Sequence, residues 1–191
     1  MSKMSTRVQV MSATCERPAV PDRLGKIVIS RPSAANVSSL AALLSEMQSH
    51  YGRPVPYAAA RVAAVRACRR PTNEFDPRVL LAIRRDIVVG SIVMNVTFPA
   101  FELTLSLHIR DLYVAESARR QGVGRMLVRS AARLAVNEGY SALEWTTDAR
   151  NAAARHMYEV CGATLLDRVY YRLYNDALRS AAGELNSSPH S

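Results

Sequence analysis

The sequence predicts a mixed α/β domain of the α+β kind: one mostly antiparallel central sheet flanked by about four helices. Two observations carry this. Apolar residues recur at helical spacing over 33–70, give way to runs of branched apolar residues over 78–114, and return to helical spacing after Gly122. The three middle runs are joined by tight connections, as antiparallel neighbours are. A chain of 191 residues suits one domain with a full core.

"KIVIS", 26–30, reads as a short strand. Ser33 stands where a cap is needed for the next segment, in which Val37, Leu40, Leu43, Leu44 and Met47 recur at helical spacing until Gly52. "RPVPY" is a loop, and "AAARVAAVRACRR" is a second helix stopped by Pro71. Strands follow at 78–86, 87–99 and 101–114. In the last, Leu103, Leu105 and Leu107 alternate with Thr104, Ser106 and His108, which predicts one buried face. Val123, Met126, Leu127, Ala131, Leu134 and Ala135 line one side of the next helix, which Gly139 ends. "SALEWTT", 141–147, is a strand, and "NAAARHMYEVCG", 151–162, is a helix. "ATLLDRVYYRLYN", 163–175, predicts a closing hairpin with its turn near Asp167. Residues 1–25 lack periodicity and read as a flexible leader, 26–176 as the domain, and 177–191 as a polar, disordered tail.

Composition excludes several classes. No apolar run reaches about 18 residues, so no membrane span is expected. The first residues lack the apolar centre of a secretory signal. Cys15, Cys68 and Cys161 form neither a disulfide framework nor a zinc pattern, which fits reduced thiols in the cytoplasm. His50, His108, His156 and His190 form no ligand cluster, so no metal is expected. The formal charge is +9, almost all from arginine, since Lys3 and Lys26 are the only lysines. That balance favours anionic partners without choosing among nucleic acid, phosphorylated cofactors and lipid. No nucleic-acid signature accompanies it, so no specific nucleic-acid partner is expected.

The chemistry gathers at "DLYVAESARRQGVG", 111–124. A helix beginning after a strand and a short loop leaves backbone N–H groups unpaired and carries a partial positive charge. Gly122 and Gly124 give room for close approach, and Arg119 and Arg120 add full charges. The combination suits a phosphate. It is not a Walker A loop, and a dinucleotide fingerprint would need a glycine where Leu127 stands.

The loop Arg119-Arg120-Gln121-Gly122-Val123-Gly124, after "DLYV", resembles the acetyl-CoA loop of the Gcn5-related N-acetyltransferase (GNAT) family. "NAAARHMYEVCGA", 151–163, resembles that family's second hallmark. The resemblance implies acetyl-CoA as acetyl donor and a role for each matching position. The backbone of Leu112, Tyr113 and Val114 would pair with the pantetheine arm, and a splay or bulge there would free N–H groups to polarise the thioester. Arg119, Arg120, Gln121, Gly122, Val123, Gly124 and Arg125 would surround the pyrophosphate. Asn151 would meet the cofactor arm, its plainer role being a helix N-cap. Tyr158 would protonate the departing CoA thiolate. Cys161 has no base partner, so the amine is expected to attack directly.

Asp111 and Glu144 are weighed as general bases against ordinary solvent-facing roles, and neither is assigned. His50, Tyr51 and Tyr57, in "MQSHYGRPVPY", are candidates to border the acceptor, against incidental loop aromatics. Tyr170, Tyr171 and Tyr174 read as packing or substrate-wall residues. The expected function is acetyl transfer to a primary amine, of a small molecule in preference to a peptide or protein. The alternative class is a non-catalytic basic binding module. Homodimers are common in the family, and the sequence leaves that state open.

Overall fold

The computed structural model describes residues 25–184. The expected leader, apart from Gly25, and the end of the expected tail lie outside those residues. Five strands form one sheet in chain order: β1 (Val28–Ser30), β2 (Arg78–Arg84), β3 (Ile87–Thr97), β4 (Ser106–Val114) and β5 (Leu143–Trp145). All neighbours run antiparallel except β4 and β5, which are parallel. The helices are α1 (Val37–His50), α2 (Tyr57–Ala67), α3 (Val123–Asn137), α4 (Ala152–Val160) and α5 (Asn175–Ala181). The chain divides after Thr146 into two compact units.

The first unit has three layers. On one face of the sheet, Leu40, Ala41, Leu43 and Met47 of α1 and Ala64 of α2 pack with Leu81, Val88 and Tyr113. On the other, Val123, Leu127, Ala131, Leu134 and Ala135 of α3 pack with Leu80, Ala82, Ile92, Met94, Leu107 and Ile109. Strands covered on both faces need apolar residues at consecutive positions, which is why β2 reads "RVLLAIR" without clean alternation. Leu127 is fully buried in this core, so its truncation to alanine costs about 2–5 kcal/mol. α3 lies close to the sheet because position 90 is glycine. A Cβ there would stand 3.2 Å from the Leu127 side chain and 3.3 Å from that of Val123.

Two bulges redirect side chains. Val93 pairs with Asp111 but Met94 pairs with Ile109, so Arg110 is an extra residue on β4. An extra residue reverses the alternation of a strand. Leu107 and Ile109 therefore face α3, whereas Tyr113, beyond the bulge, packs with α1. A second bulge, at Val89 on β3, sends Val88 to α1 and Val89 to α3.

Several expectations need correction. β4 starts at Ser106, not 101, because Glu102 and Leu103 take left-handed backbone angles that no strand accommodates. Leu103 is 78% exposed, and the buried face begins with Leu107. On α3 the buried position is Val128 in place of Met126. In the second unit, the hairpin expected over 163–175 does not form, and 163–174 contains no strand. Its apolar alternation supplies strand propensity, but a ladder also needs a partner edge, and no other described residue of this unit is in a strand. Part of the expected disordered tail is helix α5, which has Asp176 in its first turn and Arg179 in its last, the order a helix dipole favours.

Candidate functional site

β4 carries most of the candidate site. β5 pairs with it only at Leu107, His108 and Ile109. Beyond the bulge, Leu112, Tyr113 and Val114 pair with Ile92, Ser91 and Gly90 of β3 and have no β5 residue opposite them. The two strands thus part at the bulge. An edge released in this way can take an extended ligand as an added strand. The resemblance implied a splay or a bulge at Leu112–Val114; the bulge lies just before them, at Arg110, and the pairing with β5 has ended before Leu112.

β4 leads through a short 3-10 turn, Glu116–Ala118, to the start of α3. Gly122 is the N-cap of α3, with φ of +78°. A Cβ at this position would meet nothing within 4 Å, so the backbone angle and not crowding demands glycine. The first helical bond runs from Met126 N–H to Gly122 O, 3.0 Å. By helix geometry the N–H groups of Val123, Gly124 and Arg125 precede it without intrahelical partners. The exposed Arg120 and Arg125 flank this end. Those amides and charges suit a pyrophosphate.

Arg119 and Gln121 have further tasks. Arg119 Nε donates to Val114 O at 3.1 Å, and its Nη2 donates to the Tyr113 hydroxyl at 3.2 Å. Gln121 Nε2 donates to Ser117 O at 3.1 Å, and its carbonyl accepts from Arg84. Their side chains thus brace the loop. The Tyr113 hydroxyl donates to Glu46 Oε1 at 3.0 Å, and the same oxygen accepts the Glu116 N–H at 2.8 Å. Tyr113 is also in ring contact with His50 and Tyr51, with centroids 5.8 and 6.3 Å away. Glu46 was missed from sequence. Its only signal is a carboxylate standing between Leu43 and Met47 of the apolar stripe, which local spacing cannot pair with a tyrosine 67 residues on.

A cavity of about 790 Å³ opens on the α1 and α2 face of the sheet, with Met47, Gln48, Tyr51, Val93 and Asp111 in its wall. Because of the bulge, Asp111 turns to this face. Burial raises its carboxyl above the ordinary range, against the opposing pull of Arg110 and the Leu112 N–H. Burial likewise raises the Tyr51 hydroxyl, helped by Asp111 and opposed by Arg119. Of the expected acceptor residues, Tyr51 lines the cavity, while His50 and Tyr57 do not. The Tyr57 hydroxyl donates to Ser38 O at 3.4 Å. Glu144 is on β5 opposite His108 and also lies outside the cavity wall.

In the second unit, Asn151 caps α4, its side-chain oxygen accepting the Ala154 N–H at 3.1 Å. Tyr158 is half-buried on α4. Tyr170, Tyr171 and Tyr174 are exposed, so none serves as core packing.

Residues 41–163 match the acetyltransferase (GNAT) family. The L-ornithine N5-acetyltransferase of Arabidopsis thaliana is 30% identical over 95 residues, and the match covers 49% of this chain and 42% of that protein. An integron cassette protein from the mobile metagenome of V. cholerae superposes with a TM-score of 0.69 at 26% identity, over 82% of this chain and 97% of that one. The ribosomal-protein-alanine N-acetyltransferase of Brucella melitensis has a TM-score of 0.64 at 17% identity, over 78% and 99%, a likeness of fold alone.

Proposed function

The chain belongs to the acetyltransferase (GNAT) family, and from that premise we propose that it transfers an acetyl group from acetyl-CoA to a primary amine of a small molecule. Enzymes of this family use acetyl-CoA as donor, and that group supplies the activated thioester. One observation carries the reading: the Arg110 bulge turns Asp111 into a cavity on the same strand whose next residues, Leu112–Val114, lie past the last β5 pair. The volume suits a small ligand. The L-ornithine N5-acetyltransferase relative supports a small-molecule acceptor.

The residues fit the donor. Amides of the first turn of α3 and the guanidinium groups of Arg120 and Arg125 receive the pyrophosphate, and the open space at Gly122 lets it approach. Leu112, Tyr113 and Val114 hold the pantetheine through their backbone. Arg119 and Gln121 act by keeping that loop in shape. Asp111 attracts the acceptor ammonium and, with its raised pKa, takes a proton from it directly or through water, so that the free amine is presented. Tyr158 protonates the leaving thiolate, and Asn151 adds a contact to the cofactor arm; both assignments rest on their places in the "NAAARHMYEVCGA" motif. We take residues 26–176 as the acetyltransferase domain. The thiol content fits a cytoplasmic enzyme, and no described helix is long and apolar enough to cross a membrane.

Thiol release from acetyl-CoA, measured against a panel of amines, tests the reading. Release above the hydrolytic background is expected with at least one small amine, along with a higher melting temperature in acetyl-CoA. No release, together with no thermal shift at millimolar acetyl-CoA, overturns it.

A further inference from the structure

The cavity beside Asp111 is unequal in its charges. Arg66, in the last turn of α2, and Arg69 and Arg70 just beyond it line the cavity, as does Arg110 at the β4 bulge. Two carboxylates share the lining, Asp76 and Asp111. Asp76 is already committed: it accepts the Thr72 hydroxyl at 2.8 Å, the Asn73 N–H at 3.2 Å and the Asn73 side-chain amide at 3.2 Å. Those bonds and that of the Thr72 N–H hold its pKa down and fix it in its own turn. Among the described residues the ion pairs join Arg31 and Arg78 to Glu138, and none involves the four cavity arginines.

Four arginines therefore line one cavity with a single carboxylate that its own turn does not consume. A polyamine suits such a lining poorly, because only Asp111 would welcome its several charges. An acceptor that carries an anionic group besides its reacting ammonium suits it better. Its ammonium meets Asp111 on β4, next to the backbone that would hold the thioester. Its anionic end meets the arginines, whose planar forks match carboxylate and phosphate oxygens. The anion would also relieve the mutual repulsion of the four arginines.

Resting on the acetyltransferase reading above, we propose that the acceptor is a zwitterionic amine: a small molecule whose anionic group, carboxylate or phosphate, is held by Arg66, Arg69, Arg70 and Arg110 while its amine is presented by Asp111. The anionic group decides specificity, and the amine alone is not enough.

The test compares acceptors that differ only in that group, using the full chain. L-ornithine is set against putrescine, L-lysine against cadaverine, and O-phosphoethanolamine against ethanolamine. In at least one pair, kcat/KM is expected to favour the anionic member by about 10-fold or more. The phosphate and carboxylate pairs show which anion is taken. Arg69→Ala and Arg70→Ala change exposed side chains, so they should fold. They are expected to raise KM for the preferred anionic acceptor about 10-fold and to change the KM of its counterpart without the anion much less. Equal or better turnover of the diamines and of ethanolamine, unaffected by these substitutions, overturns the proposal while leaving the acetyltransferase in place. If no amine releases thiol, calorimetric titration of the same pairs in the presence of CoA decides. Tighter binding of an anionic member that weakens in Arg69→Ala sustains the proposal, and absence of discrimination removes it.

Discussion

The Tyr113 hydroxyl, near the end of β4, donates a 3.0 Å hydrogen bond to Glu46 on α1. One carboxylate oxygen thereby joins α1 to the strand beside the bulge and, through the Glu116 N–H, to the turn that leads into α3. Glu46→Ala removes the acceptor from a tyrosine that is only 4% exposed. The expected loss is about 1–3 kcal/mol of stability. Tyr113→Phe removes the hydroxyl itself and should cost less, about 0.5–1.5 kcal/mol, because Glu46 keeps its bond from the Glu116 N–H and Arg119 keeps its bond to Val114 O. Urea denaturation of both variants checks the order. A Phe variant less stable than the Ala variant contradicts the role given to Glu46.

Gly122 should be sensitive for a different reason. Its φ of +78° strains any residue with a Cβ, although the space around it is open. Gly122→Ala should therefore lose about 1–2 kcal/mol from backbone strain alone. It should also raise the KM for acetyl-CoA, since relaxing that angle moves the first amides of α3. An unchanged KM with the expected stability loss would separate the helix start from the binding of phosphate.

The sequence revealed those elements whose signals are local. Helix periodicity marked α1 and α3 through Leu40, Leu43, Leu127 and Leu134, and branched runs marked β2 and β3. What it hid depends on contacts across the chain. The bulge at Arg110 has no marker in "LHIRDLY", because it is defined by the register against Val93 and Met94. Asp111 could therefore be weighed as a base but not assigned to a face. The inward turn of Arg119 was equally hidden, since its partners, Val114 O and the Tyr113 hydroxyl, are fixed only when the turn folds. At 163–174 the pattern misled, because alternation states a preference for pairing and cannot provide the partner.

Tyr158 carries the proton-donor assignment. Tyr158→Phe keeps the ring and removes the hydroxyl, so packing on α4 should survive. Turnover should fall on the order of 100-fold, the lower range for loss of a general acid, while the acetyl-CoA dissociation constant stays within about 2-fold. Stopped-time thiol release and equilibrium titration separate the two quantities. Wild-type turnover in the variant would assign the proton to water or to another group.

Asp111 and Glu138 should shift stability with pH in opposite directions. Burial raises the Asp111 carboxyl, so the folded chain keeps this proton to higher pH than the unfolded chain does. Between the two pKa values the folded state binds more protons, and stability falls as pH rises. The penalty is absent below the ordinary aspartate value of about 3.9 and complete above the raised folded value. Asp111→Asn should then be more stable than wild type at neutral pH, with the gap closing in acid, and should be slow in turnover. Burial would also raise Glu138, but hydrogen bonds from Arg78 and Arg31, 2.7 and 2.6 Å, outweigh it and hold the carboxyl low. Its contribution is present above the unfolded value of about 4.3 and is lost as pH falls through the folded value. Glu138→Gln should therefore be less stable than wild type at neutral pH, and again converge in acid. Urea midpoints from about pH 3 to pH 8 read both curves. Two variants displaced to the same side of wild type at neutral pH would contradict one of the two environments.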